Sequence, residues 1–569
     1  MQNTDIMLKD SIYAAIGLAA PVLDRQPEFD LGSFLKNTLV HEIQIHQPGY
    51  NILRRRAAIL LGQWLPVKEG LNRPLVYKIF QHLLDRNDQL NDQVVRVTAA
   101  RQLKNVIDPF EFAAKQFMPY VPSILGSLMA LTEEAELAET KIAILGTVSV
   151  IVSKMEQSII PFADQIISLL PPLWDQAGEE FYMKQTILGI LASLCNSMQA
   201  DSRKYHPIIV PLIESSIKPG SITRTFLLED ALDLWVTVLS QTPSDNVMPE
   251  IIALIQYIFP LYSVASENLC KALEITQLYV YLIPSEMLSN ARPIISPLIS
   301  MLGFVKRDCS GMVTTLLDLL IRSADNLGGL PAVGELTRVM VSTPLLSTIL
   351  SGLNDAYRAN LTTGPNKRHA KIDGTVETDY LNLLSRLAVA SPQLLLSALD
   401  ATSYEGQSER NEPVEKKIDW ILTEWLDHMD MMSHPTHKKL NTLALTSLLE
   451  SGQPWILSRL QSLMNEWTTT ITELVIDVSV EENVVDNRDS LVYNDPDALK
   501  GEGAEAPADE RRRVLTFKDP VHRIDIRDHI RGGLGAAVQA CGGMEAFQRD
   551  WVQNVDVDVM SGFSALGVI

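Results

Sequence analysis

The sequence predicts an all-α protein, a HEAT-repeat (ARM-type) solenoid superhelix of stacked helix pairs, and three observations carry that prediction. Aromatic residues make up only 6% of 569 residues while Leu, Ile and Ala abound, which suits helices packed on helices rather than sheets. Prolines recur just ahead of Ile/Leu runs, at Pro74, Pro119, Pro161, Pro207, Pro249 and Pro293, with gaps of 45, 42, 46, 42 and 44 residues. A second apolar series interleaves with them, starting at Ile52, Val94, Leu137 and Glu180 with gaps of 42, 43 and 43. Two helices per such period is the pattern of a HEAT array, in which each pair buries its apolar face against its neighbours.

A proline in a first helical turn loses no hydrogen bond and presets φ, so Pro119 in "QFMPYVPSIL" (116–125) predicts a helix start. In the second series Arg56, Thr98, Lys141 and Lys184 fall in one column. The pairs Ala57/Ala58, Ala99/Ala100, Ile142/Ala143 and Gln185/Thr186 follow it and predict a close helix–helix seam. "FLLEDALDLWVTVL" (226–239), "ENLCKALEITQLYVYL" (267–282) and "GMVTTLLDLLIRSA" (311–324) continue this series, giving regular HEAT-like repeats over 1–353. Residues 354–379 are polar and glycine-bearing and read as a loop or insertion, with Lys367, Arg368 and Lys371 as a solvated basic cluster. Further HEAT-like helices are expected over 380–476. Between Glu473 and Glu510, twelve acidic residues face only Arg488 and Lys500, so 477–510 reads as an acidic disordered linker. Residues 511–569 then read as a return segment and a capping helix.

The formal charge of −21 argues against a general nucleic-acid binder and suits a basic partner. Cysteines 195, 270, 309 and 541 have no CxxC spacing and read as reduced thiols of a cytosolic or nuclear protein. No charge-free apolar stretch reaches the roughly 18 residues of a membrane span. Even 251–264 carries Gln256 and Pro260, and the N-terminus lacks a signal peptide's basic start and apolar core. Membrane insertion is therefore not expected.

Chemistry-bearing motifs are few. No GxSxG, GxxxxGK[ST] or HExxH is present, and "GGLG" (532–535) lacks the spacing of a dinucleotide loop, so it reads as flexibility beside a helix. His434 and His437 form HxxH near His428, but Pro435 disfavours one helical face holding a metal. Trp420, Trp425, Trp455 and Trp467 fit core positions better than a ligand platform. No catalytic, cofactor or metal residue is assigned, and an enzyme is the reading with least support.

Several segments, in order, carry a resemblance: "GYNILRRRAAILLGQWLPV" (49–67), "NDQVVRVTAARQLKNVID" (91–108), "PLWDQAGEEFYMKQTILGIL" (172–191), "FLLEDALDLW" (226–235) and "KDPVHRIDIRDHI" (518–530). Together they resemble the C-terminal half of an importin-β (karyopherin) family receptor, in its importin eleven branch. The resemblance implies a nuclear transport receptor that wraps protein cargo, expected to be basic nuclear proteins, on a concave face. It further implies acceptance of Phe-Gly nucleoporins between outer helices, discharge by Ran-GTP, and shuttling between cytoplasm and nucleus through the nuclear envelope. Import rather than export rests on the resemblance alone. Receptors of this family are nearly twice as long, and the repeats bearing their main Ran surface have no counterpart in this sequence. No cargo- or Ran-contacting residue can be numbered. A HEAT scaffold that assembles other proteins without a transport cycle fits the repeats equally; the acidic linker followed by "DPVHRIDIRDHI" separates the two, since a plain scaffold has no need of it.

Overall fold

Helices begin where the prolines stand. Pro74 and Pro207 occupy the second position of the Arg73–Leu83 and His206–Ile217 helices, and Pro249 opens Pro249–Ala253. Pro119 and Pro161 lie in 3-10 turns that lead into Val121–Glu134 and Ala163–Ala177, and Pro293 lies in the first turn of Ala291–Ile299. The computed structural model describes residues 6–26, 29–66, 70–109, 112–245, 247–262, 267–302, 307–362, 367–407, 412–476, 491–501 and 505–568. Among these the regular elements are helices, and the chain divides into two compact units, Met1–Thr242 and Pro243–Ile569.

In the first unit the second-series helices Tyr50–Trp64, Gln93–Ile107, Ala138–Met155, Phe181–Met198 and Ile222–Gln241 pack each on the next. Each proline-led helix, from Arg73–Leu83 to His206–Ile217, packs on the second-series helix that follows it. Side-chain caps set the starts, as where Asp92 accepts from the Val95 amide at 2.9 Å. Ala57, Ala58, Ala99 and Ala100 are completely buried, and the Thr147 hydroxyl donates to the Ala100 carbonyl across the seam at 2.9 Å.

The expected column slips after its second member. Ile142, Ala143, Gln185 and Thr186 are half-buried, while Ile144/Leu145 and Ile187/Leu188 occupy the buried seam. The helix starting at Ala138 begins 45 residues after that at Gln93, two more than the sequence spacing assumed. Two residues turn a helix by about 200°, so Lys141 and Lys184 lie on a different side of their helices from Arg56 and Thr98. Lys141 accordingly reaches Gln176, and Lys184 sits over the Trp174 ring at 5.1 Å.

The stretch 138–177 is long and apolar enough to cross a membrane by length and composition, although Lys141, Lys154, Glu156 and Asp164 keep every charge-free run in it short of a span, as expected from the sequence. Its Ala138–Met155 and Ala163–Ala177 helices are separated by the 3-10 turn Glu156–Phe162 and pack within the array, so its apolar residues form repeat core.

In the second unit Leu269–Leu282, Arg307–Ser342, Gly374–Ala390, Pro435–Ser447 and Leu460–Ile476 pack each on the next. Arg307–Ser342 breaks at Gly329, whose φ of 56° and ψ of −149° only glycine adopts readily. A satisfied polar hub ties three helices: the Asn441 amide oxygen accepts from Trp425 Nε1 and Ser385 Oγ, and its NH2 donates to Asn382 and the His437 carbonyl.

Three expected boundaries move. Helix Leu345–Asn360 runs into the supposed 354–379 loop and Gly374–Ala390 begins inside it. The basic cluster between them is tethered rather than merely solvated, because Arg368 pairs with Asp355 at 2.8 Å and the Lys371 amide donates to the same carboxylate at 2.7 Å. Of the expected linker, 477–490 and 502–504 lie outside the described residues, and helix Pro507–Phe517 begins before its boundary at 510. Arg513 there pairs with Asp497 and Glu505 at 2.9 and 2.8 Å, so local acidic charge is neutralised instead of keeping the chain apart.

Residues beyond 506 do more than cap an end. Pro507–Phe517 packs on Leu269–Leu282 and Arg307–Ser342, Pro520–Arg523 and Ile526–Ala540 on Pro435–Ser447, and Val557–Ser564 on Leu460–Ile476. The segment thus runs along the second-series helices of its own unit.

Cys270 is disulfide-bonded, against the expectation of reduced thiols throughout, while Cys195 and Cys541 are free. Packing decides which cysteines meet, and sequence spacing does not show it.

Candidate functional site

The returning segment crosses the repeats at Asp519, which is the residue that "KDPVHRIDIRDHI" brings into the protein's interior. Asp519 caps its own short helix, accepting from the Val521 amide at 2.9 Å. It also receives two arginines from two repeat helices: Arg322 Nε at 2.8 Å and Arg386 Nη1 at 2.7 Å. Arg386 Nε turns to Asp318 at 2.7 Å, and Arg322 lies 3.7 Å from the same aspartate. Burial alone would push the Asp519 carboxyl up, but Arg386, Arg322 and the two hydrogen bonds outweigh it and hold it down at about 2. Arg386 is correspondingly raised, its own desolvation being overcome by Asp318 and Asp519.

This ring of two arginines and two aspartates divides two cavities, with Arg322, Arg386 and Asp519 lining both. One, of about 460 Å³, is walled by Val333, Leu515, Lys518 and Arg523 among others. The other, of about 360 Å³, has mixed walls that include Thr314, Leu383, Asp379 and His522. His522 is fixed by Leu491, whose carbonyl lies 3.1 Å from Nδ1, and Tyr493 donates its amide to the His522 carbonyl at 3.2 Å. The ring therefore acts as a charge lock between the return segment and the repeats.

Near it lies a carboxylate pair. Glu377 and Glu424 are buried side by side, with Asn360 donating to Glu424 at 2.6 Å and His428 Nδ1 3.5 Å from Glu377. Burial, then the neighbouring Glu424, drives the Glu377 carboxyl well above its ordinary 4.5, and burial keeps His428 below the ordinary imidazole value. A raised carboxyl pKa contributes stability that is complete below about 4.5 and is lost as pH rises towards the folded-state value. Glu377→Gln, which keeps the shape without the charge, is expected to add about 1–3 kcal/mol at pH 8 and to flatten the decline of stability with pH. Denaturant unfolding of both proteins at pH 5 and pH 8 checks this; equal slopes with pH would remove the pair as the cause.

The candidates from the sequence fall apart from this site. His434 precedes the Pro435–Ser447 helix and stacks on His437 at 5.1 Å; among the described residues no cluster of three or more His, Cys, Asp or Glu is arranged to hold a metal. Trp420, Trp425 and Trp467 are core, each with its indole N–H bonded, and Trp455 is half-buried. "GGLG" lies inside helix Ile526–Ala540, not beside it. A Cβ on Gly533 would meet Thr446 Cγ2 at 2.9 Å, so glycine serves close packing there, not flexibility. Arg322, Arg386 and Asp318 escaped sequence reading because Arg386 and Asp519 are 133 residues apart; an Asp-Pro at the start of a polar return segment was the one local signal.

A helix-pair array recurring every 42–46 residues, locked by its own C-terminal segment, defines an α-solenoid of the kind that binds other macromolecules along its length. The family model described as "Importin-11-like, TPR repeats" matches residues 185–568, and the chain belongs to that family. Mouse Importin-11 is 27% identical over 98% of this chain, and Schizosaccharomyces pombe Importin beta-like protein kap113 is 25% identical over 99%. These matches take in 53% and 54% of the relatives, so the chain spans about half their length. The fold matches, with a TM-score of 0.82 and 20% identity over 99% of this chain and 56% of the other, a Saccharomyces cerevisiae protein, Lph2, described as a bidirectional nuclear transport receptor.

Proposed function

We propose that this chain forms part of a nuclear transport receptor that carries protein cargo between cytoplasm and nucleus, in the import direction. The observation that carries the reading is the similarity to Importin-11 along 98% of the chain. The net charge of −21 supports cargo that is itself basic, through electrostatic steering. Ran-GTP control, docking of Phe-Gly nucleoporins and residence at the nuclear envelope belong to the same proposal.

The test is capture of proteins from nuclear extract on the immobilised chain, with and without excess GTP-locked Ran and with a Phe-Gly repeat protein as parallel bait. Basic proteins and the Phe-Gly protein are expected to bind, and displacement of the former by Ran would show that the repeats without a counterpart in this sequence are dispensable for release. Stable partners without Phe-Gly binding would replace the proposal with an assembly scaffold.

A further inference from the structure

We infer that the larger cavity at the charge lock is a docking site for an acidic protein segment carrying an apolar residue. Its walls bear Arg322 and Arg386, which are matched by Asp519 and Asp318, and two further cations, Lys518 and Arg523, against one further carboxylate, Asp325, in a chain whose formal charge is −21. Asp519 is consumed between Arg322 and Arg386. Burial pushes the Asp325 carboxyl above its ordinary range. Lys518 and Arg523 are exposed and have no ion pair among the described residues, so they face the cavity mouth with charge to spare.

The apolar half of the recognition comes from Val333, Val389 and Leu515, which line the cavity, and from Leu327 and Leu330, which are on the Arg307–Ser342 helix that also carries the lining residues Asp325, Asn326 and Val333. These two leucines are 47% and 49% exposed and flank the Gly329 break, immediately after the lining residues Asp325 and Asn326. An anion alone would use only the cations. A polypeptide placing a carboxylate against Lys518 and Arg523 and a leucine-like side chain along 327–330 would use both surfaces. This pocket is opposite in preference to the acidic surface invoked for basic cargo, and the inference does not depend on a transport role.

The experiment is fluorescence anisotropy with the full chain and a labelled peptide of alternating Glu and Leu, beside a Lys/Leu peptide of equal length and inorganic phosphate as competitor. The acidic peptide is expected to bind, and Lys518→Glu with Arg523→Glu to weaken it at least about tenfold, as loss of two charge contacts would. Both residues are exposed, so the double variant should melt with the parent. Leu327→Ser with Leu330→Ser is expected to weaken binding several-fold in a protein whose charges are intact. Equal affinity for the Lys/Leu peptide, or no loss on charge reversal, would overturn the inference. Full competition by phosphate with no effect of the leucine pair would overturn it too, in favour of a simple anion site.

Discussion

Asp519→Ala is expected to destabilise the second unit by about 3–5 kcal/mol, because it leaves two largely buried arginines without their shared carboxylate. Side chains of Arg322 and Arg386 are 17% and 11% exposed, so neither can recover full hydration without moving. The variant also removes the cap on the Val521 amide. Asp519→Asn keeps the shape and an acceptor for that cap but not the charge, so its loss relative to the parent isolates the ion pairs, and the further loss in the Ala variant isolates the cap and shape. Hydrogen exchange should localise the effect: amides of 507–540 and of the helices around Arg322 and Arg386 should lose protection before the first unit does. Unchanged protection in the return segment would show that its apolar contacts hold it without the lock. The pH dependence follows from the lowered carboxyl. Its stabilisation is present above about 3.8 and is lost as pH falls towards 2. The parent should therefore lose the lock between these values, and the Ala variant should show no such step.

Ala100→Glu is expected to be of similar size, about 3–5 kcal/mol, for a different reason. Ala100 is completely buried against the Ala138–Met155 helix, close enough for Thr147 to bond its carbonyl. A glutamate there must push that helix away or bury an unpaired charge. Thermal unfolding of Ala100→Glu beside Ala143→Glu checks the corrected frame, since Ala143 is half-buried. The first should melt far below the parent and the second close to it. Equal losses at both would mean that the seam does not run through Ala100.

Periodicity alone placed the helix starts at Pro74, Pro207 and Pro249, because a proline's missing N–H and fixed φ act locally. The buried alanine pairs were equally legible, since a close seam selects small side chains wherever it occurs. Two residues' difference in helix spacing defeated the column beyond Thr98: a period averaged over repeats carries no information about one longer turn. Gly533 shows the same limit, because its glycine answers to Thr446 on another helix and not to its neighbours in sequence.

By itself, then, the sequence determined an array of helix pairs and its family resemblance, as both reside in local patterns repeated along the chain. Only the tertiary structure decided that residues beyond 506 run back along the repeats, that Asp519 meets Arg322 and Arg386, and that Glu377 lies beside Glu424. Those contacts join residues far apart in sequence, and their electrostatics are strong because packed helices surround the charges with a lower dielectric than water, a condition that exists only once the helices have packed.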